Sequence, residues 1–336
     1  MNRKFLRKVS FTYKLIVSLI LLIGMFTVSL LMGAAEITAY DVWLALISDI
    51  RNEQVLLIQE IRLPREIGAL FTGAALAVAG GVMQGLTRNP LADPGLLGLT
   101  AGANAGLAVT MAFFPGINYF GIMIACFIGA AAGAAMVFGI GAVKKGGYSP
   151  FRIVLAGAAI SAFLFALAEG VGIYFRISQD ISMWTAGGLI GTTWGQLQLI
   201  VPFITFGIVL SILLSRQLTV LSLHEELAVG LGQRTMQVKV LLFIIIIILA
   251  GSSVALVGNL AFLGLMIPHI VRWMVGTDYR FIIPMSAIMG GAFMLFADTA
   301  GRVIHAPYET PAAAIVAIIG LPFFLLIVRK GGNRFS

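Results

Sequence analysis

The stretch 240-VLLFIIIIILAGSSVALVG-258 holds no charged residue and no proline in nineteen positions. As a helix rising 1.5 Å per residue it spans just under ~30 Å, the thickness of a bilayer's hydrocarbon core. It reads as a membrane span, and its neighbours share its character. Upstream lies 195-GQLQLIVPFITFGIVLSILL-214, and between the two stands a polar island, 222-SLHEELAVGLGQR-234. Over all 336 residues the chain is 60% hydrophobic and 11% charged, with a mean hydropathy of +1.02. Soluble domains carry about 25% charged residues. The class is an all-α polytopic membrane protein, and the 39 glycines fit helices that approach closely in lipid.

Outward from the opening stretch, ten apolar runs fall near 15–34, 66–86, 96–114, 120–143, 153–175, 195–214, 240–258, 260–275, 281–300 and 311–328, the seventh and eighth readable as one bent unit. The run after the basic tail 1–14 exceeds the 7–15 residues of a signal-peptide core, so it reads as an uncleaved first span, although 33-GAAEITA-39 would also suit a cleavage site. With the N-terminus inside, seventeen Lys and Arg fall on the cytoplasmic side and five (Arg51, Arg62, Arg65, Arg176, Arg302) outside. That asymmetry satisfies the positive-inside rule, puts both termini in the cytoplasm, and accounts for the net charge of +8 without nucleic acid. The whole of 1–336 is one transmembrane domain with a cytoplasmic loop at 215–239 and a short external helix at 182–194.

Several chemistries are unsupported. No GxxxxGK[ST] loop is present to cradle ATP, and His224, His269 and His305 lie in different segments without metal-ligand spacing. The single Cys126 excludes an internal disulfide. No catalytic or metal constellation emerges, which leaves a conduit or a receptor. Among conduits, a stand-alone secondary transporter or channel would leave the island at 222–234 unexplained.

Three polar features carry the functional reading. In 88-RNPLADPGLLGLTAGANAG-106, Pro90 and Pro94 forbid a continuous helix, while Asn89 and Asp93 favour turns and caps. A reentrant turn and a constriction both fit. In 60-EIRLPREIG-68, Arg62 and Arg65 stand at the mouth of the second span; Arg302 stands at the outer end of the ninth, four residues after Asp298. Such arginines either snorkel or meet an anionic partner, and Asp298 and Arg302 can pair within one helix. Glu169, in 162-AFLFALAEGVGIYF-175, is a carboxylate at membrane depth, where insertion costs at least ~2.5 kcal/mol. It faces a cavity, or it is buried and either protonated or paired.

The strings 61-IRLPRE-66, 73-GAALAVAGGVMQGLTRNPLADPGLLGLTAGANAG-106, 260-LAFLGLMIPHIVR-272, 276-GTDYR-280, 297-ADTAGR-302 and 309-ETPAAAIVAIIGLPFFLLIVRK-330 resemble the FecCD family, the permease subunits of type II ABC importers for iron-siderophores, haem and cobalamin. The resemblance implies ten helices, a second permease copy, an ABC ATPase dimer beneath that holds the ATP and Mg, and an extracytoplasmic substrate-binding protein or lipoprotein. It implies no cofactor in this chain, a bacterial cytoplasmic membrane, and an iron-siderophore as the commonest cargo. Carried over residue by residue, Arg62, Arg65 and Arg302 dock the binding protein. Asn89 and Leu91 hold one cytoplasmic gate, and the loop with Ser149, Pro150 and Phe151 a second, where Pro150 and Phe151 depart from the family's small hydroxylated residues. The island resembles the loop that couples to the ATPase, with Glu225, Glu226, Ala228, Leu231 and Gly232 in place and His224 and Val229 departing from it. Ala228 and Leu231, three apart, are expected to share a face that enters a groove on the ATPase, with two short helices formed around Gly230 and Gly232.

Overall fold

A computed structural model describes residues 10–33, 37–48, 52–95, 97–142, 150–186, 188–223, 225–306 and 308–331. These residues form helices and connecting turns, with no strand among them. In chain order the helices are α1 (Phe11–Leu31), α2 (Ala39–Ile47), α3 (Glu53–Thr87), α4 (Leu99–Phe113), α5 (Tyr119–Ala142), α6 (Pro150–Phe175), α7 (Ser178–Thr185), α8 (Trp194–Leu213), α9 (Ser215–Leu223), α10 (Glu225–Gly230), α11 (Thr235–Val257), α12 (Leu263–Val275), α13 (Tyr279–Val303) and α14 (Ala312–Gly331).

Eight of them are long and apolar enough to cross a bilayer, and the ten apolar runs of the sequence correspond to these eight plus the shorter α4 and α12. Both short helices follow irregular chain that occupies part of the depth. Arg88 closes α3 in the left-handed region (φ 52°), and Gly98 (φ 81°) opens α4. Gly258 (φ 78°) closes α11, and Phe262 (φ 68°) opens α12. Such backbone is tolerated at membrane depth only where protein surrounds it.

Helix α3 is the hub. Its apolar stretch is 83% buried, against 17% for those of α1 and α6, and α13, α11, α12 and α8 pack around it. Lipid is as apolar as leucine, so close backbone approach has to supply the cohesion. At Gly73–Gly290 and Gly80–Gly264 the helices touch backbone to backbone: a Cβ on Gly73, Gly290 or Gly80 would overlap the opposite glycine's backbone, and one on Gly264 would press on the Leu76 carbonyl and the Asp93 carboxylate. A second cluster packs α4 against α5 and α6.

Pro64 shapes the outer part of α3. It has no amide to donate to the Glu60 carbonyl, and the turn before it widens into a π-turn over Ile58–Arg62, closed by Leu63 N–H to Ile58 O. The short helix expected at 182–194 lies earlier, at Ser178–Thr185. Gly188 and Gly191 (φ 78°) interrupt the chain after it, and a Thr193–Gln196 capping box starts α8.

Candidate functional site

At the end opposite the N-terminus, α1, α3 and α13 meet in a buried network of charges. The π-turn presents Arg62, whose Nη1 donates to the carbonyls of Leu30 (2.6 Å) and Leu31 (3.2 Å). It thus caps the negative end of α1 with a cation. One turn on, Glu66 is fully buried and accepts from Ser29 Oγ and from Arg302 Nη2, the latter at 2.5 Å. Arg302 also donates to Ser29 O (3.2 Å) and Met32 O (3.3 Å), and its Nε lies 3.2 Å from Asp298 Oδ2. Arg65 binds Asp298 through Nε (2.9 Å) and Nη2 (2.9 Å), and its Nη1 reaches Glu309 Oε2 at 2.9 Å.

Sequence reasoning singled out the three arginines and the Asp298–Arg302 pair; it missed Glu66, Ser29, Glu309 and Thr299, whose hydroxyl lies 2.8 Å from Ser29 Oγ. The signal for Glu66 was present, since Arg62 and Glu66 repeat the i, i+4 spacing of Asp298 and Arg302. In the fold Arg62 and Arg302 are buried, and Arg65 and Arg302 pair with three carboxylates, Glu66, Asp298 and Glu309. A buried charge needs a partner, and Arg65 and Arg302 both find theirs within the chain.

Beside this network, α7 and the segment after it roof a cavity of about 600 Å³. Met111 from α4, Met183 and Trp184 from α7, Gln196 from α8, and Leu256 and Val257 from α11 line it, and Asp180 is the one ionisable group among the described lining residues. Helix α7 is pinned by Thr185 Oγ1 to Asn104 Oδ1 (2.9 Å) and by Trp184 Nε1 to Val254 O (3.4 Å). Glu169 lies on the exposed arc of α6, so the reading of a carboxylate buried within this chain is not met.

The other end gathers the basic residues. The loop after α3 is a run of turns: Asn89 Oδ1 accepts the Leu91 amide (3.0 Å) and Asp93 Oδ1 the Gly95 amide (2.7 Å). Asn89 and Leu91 are half-buried, and Asp93 is buried against Gly264 at the start of α12. Gln84 donates to the carbonyls of Gly264 (3.3 Å) and Leu265 (3.2 Å) and accepts from Arg272. Of the second expected gate, Ser149 lies outside the described residues, and so do the side chains of Pro150 and Phe151, which open α6.

The polar island forms α9 and α10, and both precede the glycine turn instead of flanking it. Gly232 (φ 77°) ends α10 in a Schellman motif: its N–H donates to Val229 O (2.9 Å) and that of Gln233 to Ala228 O (2.9 Å). Ala228 and Leu231 do not share an open face. Ala228 is 0% exposed and packs into the main core, whereas Leu231 is 75% exposed. Leu231 sits past the last helical residue, where the i, i+3 rule no longer applies. The exposed apolar rim is Leu223, Leu227, Val229 and Leu231, with Glu226 beside it. His224 and the side chain of Glu225 lie outside the described residues.

Thr219 on α9 ties this corner to α13, accepting from Tyr279 N–H (2.9 Å) and standing 3.2 Å from Asp278 Oδ1. Arg280 donates to Asp278 from Nε (2.9 Å) and Nη2 (2.6 Å), which holds the Asp278 carboxyl below the usual aspartate range.

A family model described as the FecCD transport family matches residues 20–330. The Bacillus subtilis protein named iron(3+)-hydroxamate import system permease protein FhuB is 43% identical over 93% of this chain and 81% of its own length. The Yersinia pestis hemin transport system permease protein HmuU is 36% identical over 99% of each chain. A solved metal-chelate-type ABC transporter in an inward-facing conformation superposes with a TM-score of 0.80 at 27% identity, over 96% of this chain and 100% of that one. PsaBC from Streptococcus pneumoniae in complex with Fab shares the fold, with a TM-score of 0.61 at 18% identity over 86% of this chain and 94% of its own.

Proposed function

Since the chain belongs to the FecCD transport family, we propose that it is the permease of an ATP-driven importer that passes an iron-siderophore complex into the cytoplasm. The chain is a multi-pass transport subunit and not an enzyme. The observation that carries the rest is the cytoplasmic corner, where α9 and α10 hold an apolar rim in water that no other described residue covers. An ABC ATPase dimer, holding ATP and Mg, is the partner for that rim, with Glu226 and Leu231 in contact and Ala228 and Gly232 shaping the turn. The cargo reading draws on the iron-hydroxamate and ferric enterobactin relatives; haem or cobalamin is the alternative within the same family.

The mechanism is alternating access in a bacterial cytoplasmic membrane. A second permease copy, identical or paralogous, covers the open faces of α6 and α14. The loop at Asn89 and Leu91 closes the inner end, with the segment at Ser149 its counterpart. A binding protein docks outside at the cluster of Arg62, Arg65 and Arg302, where Arg65 and Glu309 present the most accessible edge. Glu169 faces the pathway between the two copies.

Reconstitution of the permease with and without its ATPase, scored by uptake of ferric siderophore, haem and cobalamin, tests the reading. Uptake appears only with the ATPase and ATP, and ferric siderophore is preferred. Uptake driven by an ion gradient alone would overturn it in favour of a secondary transporter.

A further inference from the structure

We infer that α2 is an anchor in the outer leaflet: its open face of Tyr40, Trp43, Leu46 and Ile47 lies in the lipid headgroup layer and steadies the outer end of α3. The inference needs only that the chain spans a bilayer; no cargo or ATPase enters it. These four large side chains are between 58% (Leu46) and 68% (Tyr40) exposed. At 100° per residue they fall within one arc of about 120°. Val42 and Ala45 fall outside it, buried in a small cluster with Leu30 from α1 and Val55 and Ile58 from α3. Helix α2 thus turns its smaller residues inward and leaves its largest ones out.

Two spans fix the level at which this happens. Arg62 donates to the carbonyls of Leu30 and Leu31, so it stands at the outer end of α1, whose 21 residues reach about 30 Å. Just before it on α3, the Gln59 carbonyl accepts Trp194 Nε1 at 2.9 Å, and Trp194 is the first residue of α8. Both spans therefore put Gln59 at the outer edge of the hydrocarbon. Its side chain donates from Nε2 to Ala45 O (2.8 Å), a carbonyl of the last turn of α2, and holds α2 at that same level. With Ala45 O held and Val42 buried, the open face cannot turn inward.

The level and the chemistry together say what covers the face. A partner that docks by charge would find none on this arc. Tyr and Trp concentrate where bilayer meets water, because each joins an apolar ring to one polar group. The apolar stretch of α1 is only 17% buried, so lipid surrounds most of it, and α2 continues that surface past its end. Since Gln59 and Arg62 lie on one stretch of α3, a fixed α2 also fixes the turn that presents Arg62.

Fluorescence of the full-length permease in nanodiscs of brominated phosphatidylcholine tests the inference, with Trp43 read as the difference between wild type and Trp43→Phe. Bromines on the chain carbons nearest the headgroup are expected to quench Trp43 at least about twofold more than bromines at the chain ends, and iodide in the water to quench it little. Strong iodide quenching with none from either bromine would overturn the inference by leaving the face in water. Strongest quenching from the chain ends would overturn it by placing α2 inside the hydrocarbon. Shielding from iodide without bromine quenching would give the face to a second copy of the chain, and shielding that appears only when the binding protein is added would give it to that protein; either result refutes the lipid anchor.

Discussion

Thr219 and Tyr279 belong to different helices, yet the Thr219 hydroxyl accepts the Tyr279 amide at 2.9 Å and so helps to cap α13 from outside it. Asp278 supplies the ordinary N-cap, accepting the Arg280 amide at 3.0 Å. Helix α13 then runs 25 residues to Asp298, Thr299 and Arg302, so one element links the rim proposed for the ATPase to the outer charge network. Thr219→Val keeps the shape of the side chain and deletes the acceptor. It is expected to lower uptake several-fold at unchanged ATP hydrolysis, with Thr219→Ser restoring it. Equal loss of hydrolysis and uptake would mean that Thr219 only stabilises the fold.

The same corner has an acid limit. The Arg280 hydrogen bonds lower the Asp278 carboxyl in the folded state. A depressed carboxyl contributes stability above its unfolded pKa and loses it as pH falls through the lower folded value. Thermal stability of wild type and Asp278→Asn should therefore differ at neutral pH and converge only below the usual aspartate range. Convergence already at pH 6 would contradict this.

Glu66 is fully buried and Arg302 nearly so, so removing one strands the other. Glu66→Ala should cost about 3–5 kcal/mol of stability, read as a large drop in Tm in detergent. Glu66→Gln keeps the acceptor for Ser29 and should cost less. If Glu66→Ala melted like wild type, the network would not hold α1, α3 and α13 together.

How much of this was legible follows the range of each interaction. The spans were, because hydropathy is local: 240–258 announces α11 without reference to any other helix. The Arg65–Asp298 bond joins residues 233 apart, and nothing in either neighbourhood names the other. The sequence left those arginines looking available, and only their packing shows them engaged. Ala228 was misjudged for a related reason. Helix α10 has six residues, too few for periodicity to distinguish its buried side, and a glycine turn displaces Leu231 from the expected face.

That displacement separates two substitutions that the sequence would treat alike. Leu231→Ser alters an exposed rim and should weaken the ATPase complex while leaving the permease's own stability within ~0.5 kcal/mol of wild type. Ala228→Leu forces three extra carbons into a filled site and should cost about 1–3 kcal/mol in the isolated permease. Pull-down against the ATPase and thermal melts of the permease alone distinguish the two. A destabilised Leu231→Ser with intact ATPase binding would refute the assignment of the rim.

Glu309 offers the sharpest test of the outer face. Its side chain is 35% exposed and holds Arg65 through a contact worth ~0–1 kcal/mol, whereas Asp298 grips the same guanidinium in a buried site. If a carboxylate of the binding protein docks on Arg65, it does so by replacing Glu309. Glu309→Gln would then leave stability nearly unchanged and tighten the binding protein several-fold in a titration at low salt, with the gain shrinking as salt rises. Arg65→Gln should abolish the gain. Weaker docking by Glu309→Gln would instead assign Glu309 itself to the contact, with a cation as its partner.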